Sequence, residues 1–219
     1  MDILTEIMEY TKQGWSHQVR ILVLKALEEG IPSQRILEDG LMKAMDIIGE
    51  QFKRNECFVP EVLIAANAMN AGIQELSKAD FPSPQASHTA GTVVLGTVKG
   101  DMHDIGKNLV RMMMEGKGLR VIDIGVDAPP EKFVQAAINS EASIIAASSL
   151  LTTTMGELRE LVDAVGNSPL GNKVPVMIGG APTSQEFCDA IGADYYTPDA
   201  ASAADLAYNI TRRKKDDNL

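Results

Sequence analysis

TVVLGTVKGDMHDIGKNLV, residues 92–110, changes character twice within nineteen positions. Thr92 to Val98 is a β-branched and apolar run broken only by Gly96, the composition of a strand buried on both faces. From Ile105 the apolar positions take a helical spacing. Between the two, Gly100 and Gly106 bracket Asp101, His103 and Asp104. A buried strand that turns tightly into a helix is the first half of a parallel βα unit. The stretch therefore predicts a sheet covered by helices, with an imidazole and two carboxylates in its first loop.

The pattern repeats downstream. RVIDIG, SIIAAS, VPVMIGG and DYYTP are further short apolar or β-branched runs, separated by helical segments at roughly 105–117, 130–140, 155–166, 184–191 and 201–212. About five such units predict a five-stranded parallel sheet of the flavodoxin-like, Rossmann-type, doubly wound kind. In that topology ligands bind beyond the carboxyl ends of the strands, where the strand order reverses between the first and third strands. The loop after the first strand is the one quoted, and the loop after the third is SSLLTTT, residues 148–154. Strand order alone brings these two loops together.

Upstream, residues 1–80 read as helices. Ile3, Leu4, Ile7 and Met8 form one stripe, and Val19, Leu22, Val23, Ala26 and Leu27 a second that ends at Gly30. Ile36 to Phe52 keeps one helical period after Pro32, and Pro60 opens a last stripe through Leu76. Short joints between these stripes predict an antiparallel four-helix bundle. DFPSPQASHTA then breaks the pattern, so the expected division is a bundle over 1–80, a linker over 81–90 and an α/β domain over 91–219. His88 falls in the linker and takes no role, and His17 reads as a surface or packing histidine.

A net charge of −10 repels phosphate backbones and argues against nucleic acid. The basic run Arg212 to Lys215 meets Asp216 and Asp217 at once and reads as a solvated, frayed terminus. No signal peptide and no membrane-spanning run is visible, and Cys57 and Cys188 match no zinc or redox spacing. Two buried free thiols in a cytoplasmic protein are expected.

Several chemistries fit the first loop poorly. GDMHDIGKN is near a P-loop, but five residues separate its glycines instead of four, Asn108 stands where a magnesium-binding hydroxyl is needed, and Asp101 and Asp104 would repel phosphate. A G-x-G-x-x-G fingerprint is missing. An acidic magnesium pocket of Asp101 and Asp123 leaves His103 without a task. One histidine does not make a zinc site. A single imidazole does suit a metal already held in a macrocycle, with Asp101 fixing its tautomer. Taken alone, the loop also reads as ordinary solvated polarity.

Three elements in order are more specific. Asp101, His103 and Gly106 form D-x-H-x-x-G. Ser148, Leu150 and Thr152 form S-x-L-x-T. Gly179 and Gly180 form G-G, and each element follows a predicted strand. This series resembles the cobalamin-binding domain of B12-dependent methyltransferases. GEQFKRNECFVPEVLIAANAM, residues 49–69, resembles the helical module that precedes that domain. The likeness is strongest to the small corrinoid proteins of anaerobic methyl-transfer systems, which work on methanol, methylamines, betaines or methoxylated aromatics.

The resemblance implies a cobalamin or related corrinoid, bound with its benzimidazole tail displaced from cobalt and cycling between methyl-Co(III) and Co(I). It implies that His103 is the lower axial cobalt ligand, and that Asp101 and Thr154 continue from it as a His-Asp-Thr relay. Gly100, Met102, Asp104, Ile105, Gly106, Ser148, Leu150, Thr152, Gly179 and Gly180 would line the cofactor. The helical bundle would cap the methyl-bearing face, with Phe52, Phe58, Val59, Leu63 and Met69 as candidates that are also ordinary core positions. The implied partners are a substrate-specific methyltransferase, a second methyltransferase passing the methyl to tetrahydrofolate or a thiol, and a reductive activase. A cobalamin-dependent sensor and the small subunit of an adenosylcobalamin mutase are the alternatives.

Plainer readings stand beside these roles. Thr154 and Glu157 form a helix capping box, T-M-G-E. Gly179–Gly180 is also a simple turn, Ser148 a small packing residue, and Met112 to Met114 core residues of which at most two point inward.

Overall fold

The structure, a computed structural model, describes residues 2–78 and 90–216. Residues 81–89 of the expected linker, His88 among them, lie outside it. The chain divides into two compact units.

The first is helical. Helix α1 (Ile3–Lys12) is capped by Asp2, whose carboxylate accepts the Leu4 N–H at 3.3 Å. Helix α2 (Ser16–Glu28) buries Val19, Leu22, Val23 and Ala26 and ends before Gly30, which takes the left-handed conformation (φ 78°). Helix α3 (Ser33–Arg35), a π-helical stretch (Ile36–Met42) and helix α4 (Lys43–Lys53) follow one another without a break. The sequence predicts a single uniform helix here. The widened turns contain Gly40, where an added Cβ would lie 3.0 Å from Ile7, so the gap left by the missing side chain admits α1.

Helix α5 (Val59–Lys78) carries Pro60 in its first turn and buries an alanine-rich face. An added Cβ at Gly72 would meet Leu41 at 2.8 Å and Val19 at 3.1 Å, which shows how closely the helices approach. Buried Glu75 is held by Arg20 at 2.9 Å and Lys78 at 3.0 Å. Of the candidate cap residues, Met69 is core, Phe52, Val59 and Leu63 are half-buried, and Phe58 is exposed. His17 is exposed, which decides for the surface over the packing reading.

The second unit is a five-stranded, wholly parallel sheet: β1 (Thr92–Thr97), β2 (Arg120–Asp123), β3 (Ile144–Ser148), β4 (Val176–Gly179) and β5 (Tyr195–Tyr196), in the order β2-β1-β3-β4-β5. Helices α6 (Ile105–Gly116), α7 (Pro130–Ser140), α8 (Met155–Gly166), α9 (Gln185–Ile191) and α10 (Ala200–Asp216) alternate with the strands. This is the doubly wound order predicted from the strand–helix alternation. The basic run expected to fray is helical through Asp216, with Arg212 over the Tyr208 ring at 5.8 Å. Cys57 and Cys188 are buried free thiols. Met113 and Met114 are buried and Met112 is not, in line with the limit of two.

One side of the sheet packs around Phe133, with Val94, Ile145, Leu158, Leu161 and Ile178. Gly96 makes room for that ring, because a Cβ there would sit 2.8 Å from it. The register sets Thr97 opposite Ser148 and Ser148 opposite Gly179. The three strands that precede the three motifs therefore end side by side. Phe133→Ala should lower the unfolding free energy of the α/β unit by about 3–5 kcal/mol, measured by urea denaturation.

Candidate functional site

The site grows from the turn after β1. Thr97, fully buried at the end of the strand, donates its hydroxyl to the carbonyl of His103 at 2.8 Å, closing the loop back on its start. Gly100 provides the positive φ of 77° that the turn needs. Asp127, in the loop after β2, holds the turn from the other side. Its Oδ1 accepts the Gly100 N–H at 2.7 Å, and its own N–H donates to the Asp101 carbonyl at 3.0 Å.

Asp101 has no solvent exposure. Its Oδ1 accepts the backbone N–H of His103 at 3.0 Å and lies 2.7 Å from that residue's ring Nδ1. Its Oδ2 accepts the Leu150 N–H at 2.7 Å and the Thr154 hydroxyl at 3.3 Å. Burial by itself pushes this carboxyl group's pKa up. The Leu150 and His103 N–H groups and the imidazole outweigh it and bring the pKa down to about 2. A carboxylate only accepts, so the contact places the ring proton on Nδ1 and leaves the Nε2 lone pair outward. The His103 side chain is 50% exposed, and Nε2 has no hydrogen bond among the described residues.

The surroundings are apolar. Met102, Ile105, Leu150 and Leu151 are large hydrophobics left exposed, all of them in the loops after β1 and β3 or in the helix turn that follows. A Cβ on Gly106 would meet nothing within 4 Å, so this glycine leaves open space at the start of α6. Gly180 is the reverse case: its φ is 127°, and a Cβ would fall 1.9 Å from the Ser149 carbonyl oxygen. A Cβ on Gly179 would make only ordinary contact, 3.4 Å from the Thr197 carbonyl. Ser148 is half-buried, and its carbonyl accepts the Val98 N–H at 3.1 Å; Thr152 opens a 3-10 turn and is exposed. Asp104 accepts from the Asn108 amide at 3.1 Å within the first turn of α6.

Thr154 differs from the capping-box reading. It stands at the N-cap of α8 but makes no side-chain cap bond. Its hydroxyl lies instead among Asp101, the Leu151 carbonyl at 3.0 Å and Ser149 Oγ at 2.9 Å. The acidic magnesium pocket does not form either, because Asp123 is engaged by buried Lys107 and lies 3.9 Å from Arg111. Lys107 is thereby withdrawn from any phosphate-cradling role. Thr97, Asp127 and Ser149 are contributors that the motifs do not name. Only the doubled serine of SSLLTTT signals one of them.

A single outward imidazole, an apolar rim and a cradle open at Gly106 fit a large, flat ligand with one free axial metal position. Residues 91–205 match the B12 binding domain family, and residues 3–77 match a second B12 binding domain family. The chain belongs to the B12-binding corrinoid protein family.

It is 41% identical over 191 residues to dimethylamine corrinoid protein 2 of Methanosarcina mazei, covering 86% of this chain and 89% of that one. It is 37% identical over 214 residues to a corrinoid protein of Desulfitobacterium hafniense, covering 96% and 98%. Its structure resembles the methanol:cobalamin methyltransferase complex of Methanosarcina barkeri, with a TM-score of 0.86 at 27% identity over 97% of this chain and 84% of that one. The corrinoid protein's cofactor is accordingly cobalamin or a related corrinoid. No described helix is long and apolar enough to cross a membrane.

A carboxyl pKa held at about 2 means that Asp101 stabilises the folded state fully above its ordinary value near 4, and that this stabilisation is lost as pH falls toward 2. Asp101→Asn should therefore cost the cofactor-free protein about 2 kcal/mol at pH 7. The gap should narrow at pH 3, as read from urea unfolding at the two pH values. Gly180→Ala should lower the melting temperature at every pH, because both its φ and its contact with Ser149 forbid the methyl group.

Proposed function

We propose that this corrinoid protein is a methyl carrier in which His103 Nε2 is the lower axial ligand of cobalt. The observation that carries the reading is the 2.7 Å contact between His103 Nδ1 and the buried Asp101 carboxylate. It fixes the tautomer that presents Nε2, and it strengthens the imidazole as a donor by drawing on its N–H. When bound, the corrinoid supplies the cobalt that takes up and gives up a methyl group.

The chain's own residues do the rest. Thr97, Gly100 and Asp127 fix the loop so that the imidazole has one position. Asp101 takes or returns proton density through Nδ1 as the demand on Nε2 changes, and Thr154 shares the carboxylate's charge on its far oxygen. Met102, Ile105, Leu150 and Leu151 keep water from the face they cover. Gly106 leaves space for the displaced nucleotide tail, and Gly100, Asp104, Ser148, Thr152, Gly179 and Gly180 border it. Nothing in this set performs acid–base chemistry on a small substrate, so methyl loading and unloading belong to partner enzymes.

A substrate-specific methyltransferase, a second methyltransferase with tetrahydrofolate or a thiol as acceptor, and a reductive activase complete the system. The M. mazei relative bears the name of a dimethylamine corrinoid protein, which makes methylated amines the first donors to test.

In the wild type labelled with 15N-histidine and loaded with Co(II) cobalamin, electron paramagnetic resonance should show coupling to one histidine nitrogen. His103→Ala should lose that coupling and bind cobalamin at least about 10–100-fold more weakly. Unaltered affinity and spectrum would overturn the reading. Gly106→Ala should leave the cofactor-free protein as stable or up to about 1 kcal/mol more so, as expected for glycine replaced inside a helix, yet reduce cobalamin uptake. Carriage of methyl is checked by reconstituting with cob(I)alamin, adding a candidate methyltransferase, and screening methylamines, methanol, betaines and methoxylated aromatics for methyl–cobalt absorbance.

A further inference from the structure

Ser149 has a fully buried hydroxyl outside the motif positions. Its Oγ lies 2.9 Å from Thr154 Oγ1 and 3.3 Å from the Leu151 carbonyl. Thr154 has three possible acceptors within reach: Ser149 at 2.9 Å, the Leu151 carbonyl at 3.0 Å and Asp101 Oδ2 at 3.3 Å. It has one proton to give.

The Leu151 carbonyl is already occupied in part, since the Thr154 backbone N–H donates to it at 3.1 Å. If the Thr154 proton went to Leu151 or to Ser149, its oxygen would face the charged Asp101 oxygen at 3.3 Å with no hydrogen between them. That contact is repulsive, and it is buried. If instead Ser149 donates to Thr154 and Thr154 donates to Asp101, both links from Ser149 to the carboxylate hold a proton, and only the neutral Leu151 carbonyl, which already accepts the Thr154 N–H, goes without a hydroxyl proton. The bond to Asp101 is then charge-assisted.

We propose that Ser149 is a positioning residue that, by donating to Thr154, directs the single Thr154 proton onto Asp101 and so sets how strongly Asp101 holds His103. Removing Ser149 takes away the donor that polarises the Thr154 hydroxyl, so its bond to Asp101 weakens relative to the nearer Leu151 carbonyl. One of the donors to Asp101 is then weaker, and its negative charge falls more heavily on the His103 Nδ1–H. Gly180 maintains the arrangement from outside, because only a residue without a Cβ can lie against the Ser149 carbonyl. The Ser149 N–H in turn donates to the Gly179 carbonyl at 3.1 Å.

For the metal-bound state the inference rests on His103 as the cobalt ligand; for the hydrogen-bond order it does not. The chain has three histidines, so selective 15N-histidine labelling of the full-length, cofactor-free protein isolates His103 by its loss in His103→Ala. Ser149→Ala should move the His103 Nδ1–H proton resonance downfield, and Ser149→Thr should restore it. Thr154→Val should produce a displacement at least as large, and adding Ser149→Ala to it should change nothing further, because Ser149 acts only through Thr154.

A resonance that stays put in Ser149→Ala, or moves equally in the Thr154→Val background, overturns the proposal. So would an unchanged Co(II)/Co(I) potential in loaded Ser149→Ala, which should become more negative than in the wild type. Loss of the histidine–cobalt coupling in the wild type itself would instead strike the ligand assignment and leave the proton-order result standing.

Discussion

A buried carboxylate is expensive unless its charge is spread over donors, and Asp101 has four: two backbone N–H groups, one imidazole and one hydroxyl. They come from two loops that are far apart in the chain. The carboxylate thus ties the turn after β1 to the turn after β3, and the same bonds that keep it ionised orient His103. If this ion were left unpaired, the fold would pay for it first and the site would lose its one presented nitrogen second. Stability and function in this region are the same set of contacts.

The sheet makes that arrangement possible. Parallel strands in the order β2-β1-β3-β4-β5 place β1 and β3 side by side at the point where their connections leave in opposite directions. The register then brings Thr97, Ser148 and Gly179 to one level. Loops leaving neighbouring strands at one level have to share space, and small residues decide who yields. Gly180 lies against the Ser149 carbonyl where no side chain fits, while Gly106 faces space that the protein does not fill. Two glycines in motifs of similar appearance therefore have opposite structural meanings: one closes the interior, the other leaves open space.

The exposed hydrophobics around His103 follow the same logic. Met102, Ile105, Leu150 and Leu151 would be a liability on a surface that met only water. Under the proposed function they have a use: a broad cofactor face would cover side chains that the fold leaves bare. The pair of buried Lys107 and half-buried Asp123 shows the contrast. There the charges satisfy each other and leave nothing to offer a ligand.

Much of this was legible in the chain. Strand–helix alternation gave the sheet, its strand order and the meeting of the two loops, because period and turn chemistry are local properties. The motif D-x-H-x-x-G marked His103 and Asp101 for the same reason: two residues apart in a tight turn, they can hardly avoid each other. Uniform helical spacing from Ile36 to Phe52 did not disclose the π-helical turns around Gly40, which depend on what packs against them. T-M-G-E read as a helix cap, yet the Thr154 hydroxyl makes no bond to the N–H groups of its own helix and is engaged with Ser149, the Leu151 carbonyl and a buried carboxylate some fifty residues away. Asp127 carries no pattern at all, and Ser149 none beyond the doubled serine of SSLLTTT. The sequence by itself determined which groups with special chemistry exist and which strand each follows. Only the tertiary structure decided which proton goes to which acceptor, because that choice is made by distances between segments remote in the chain.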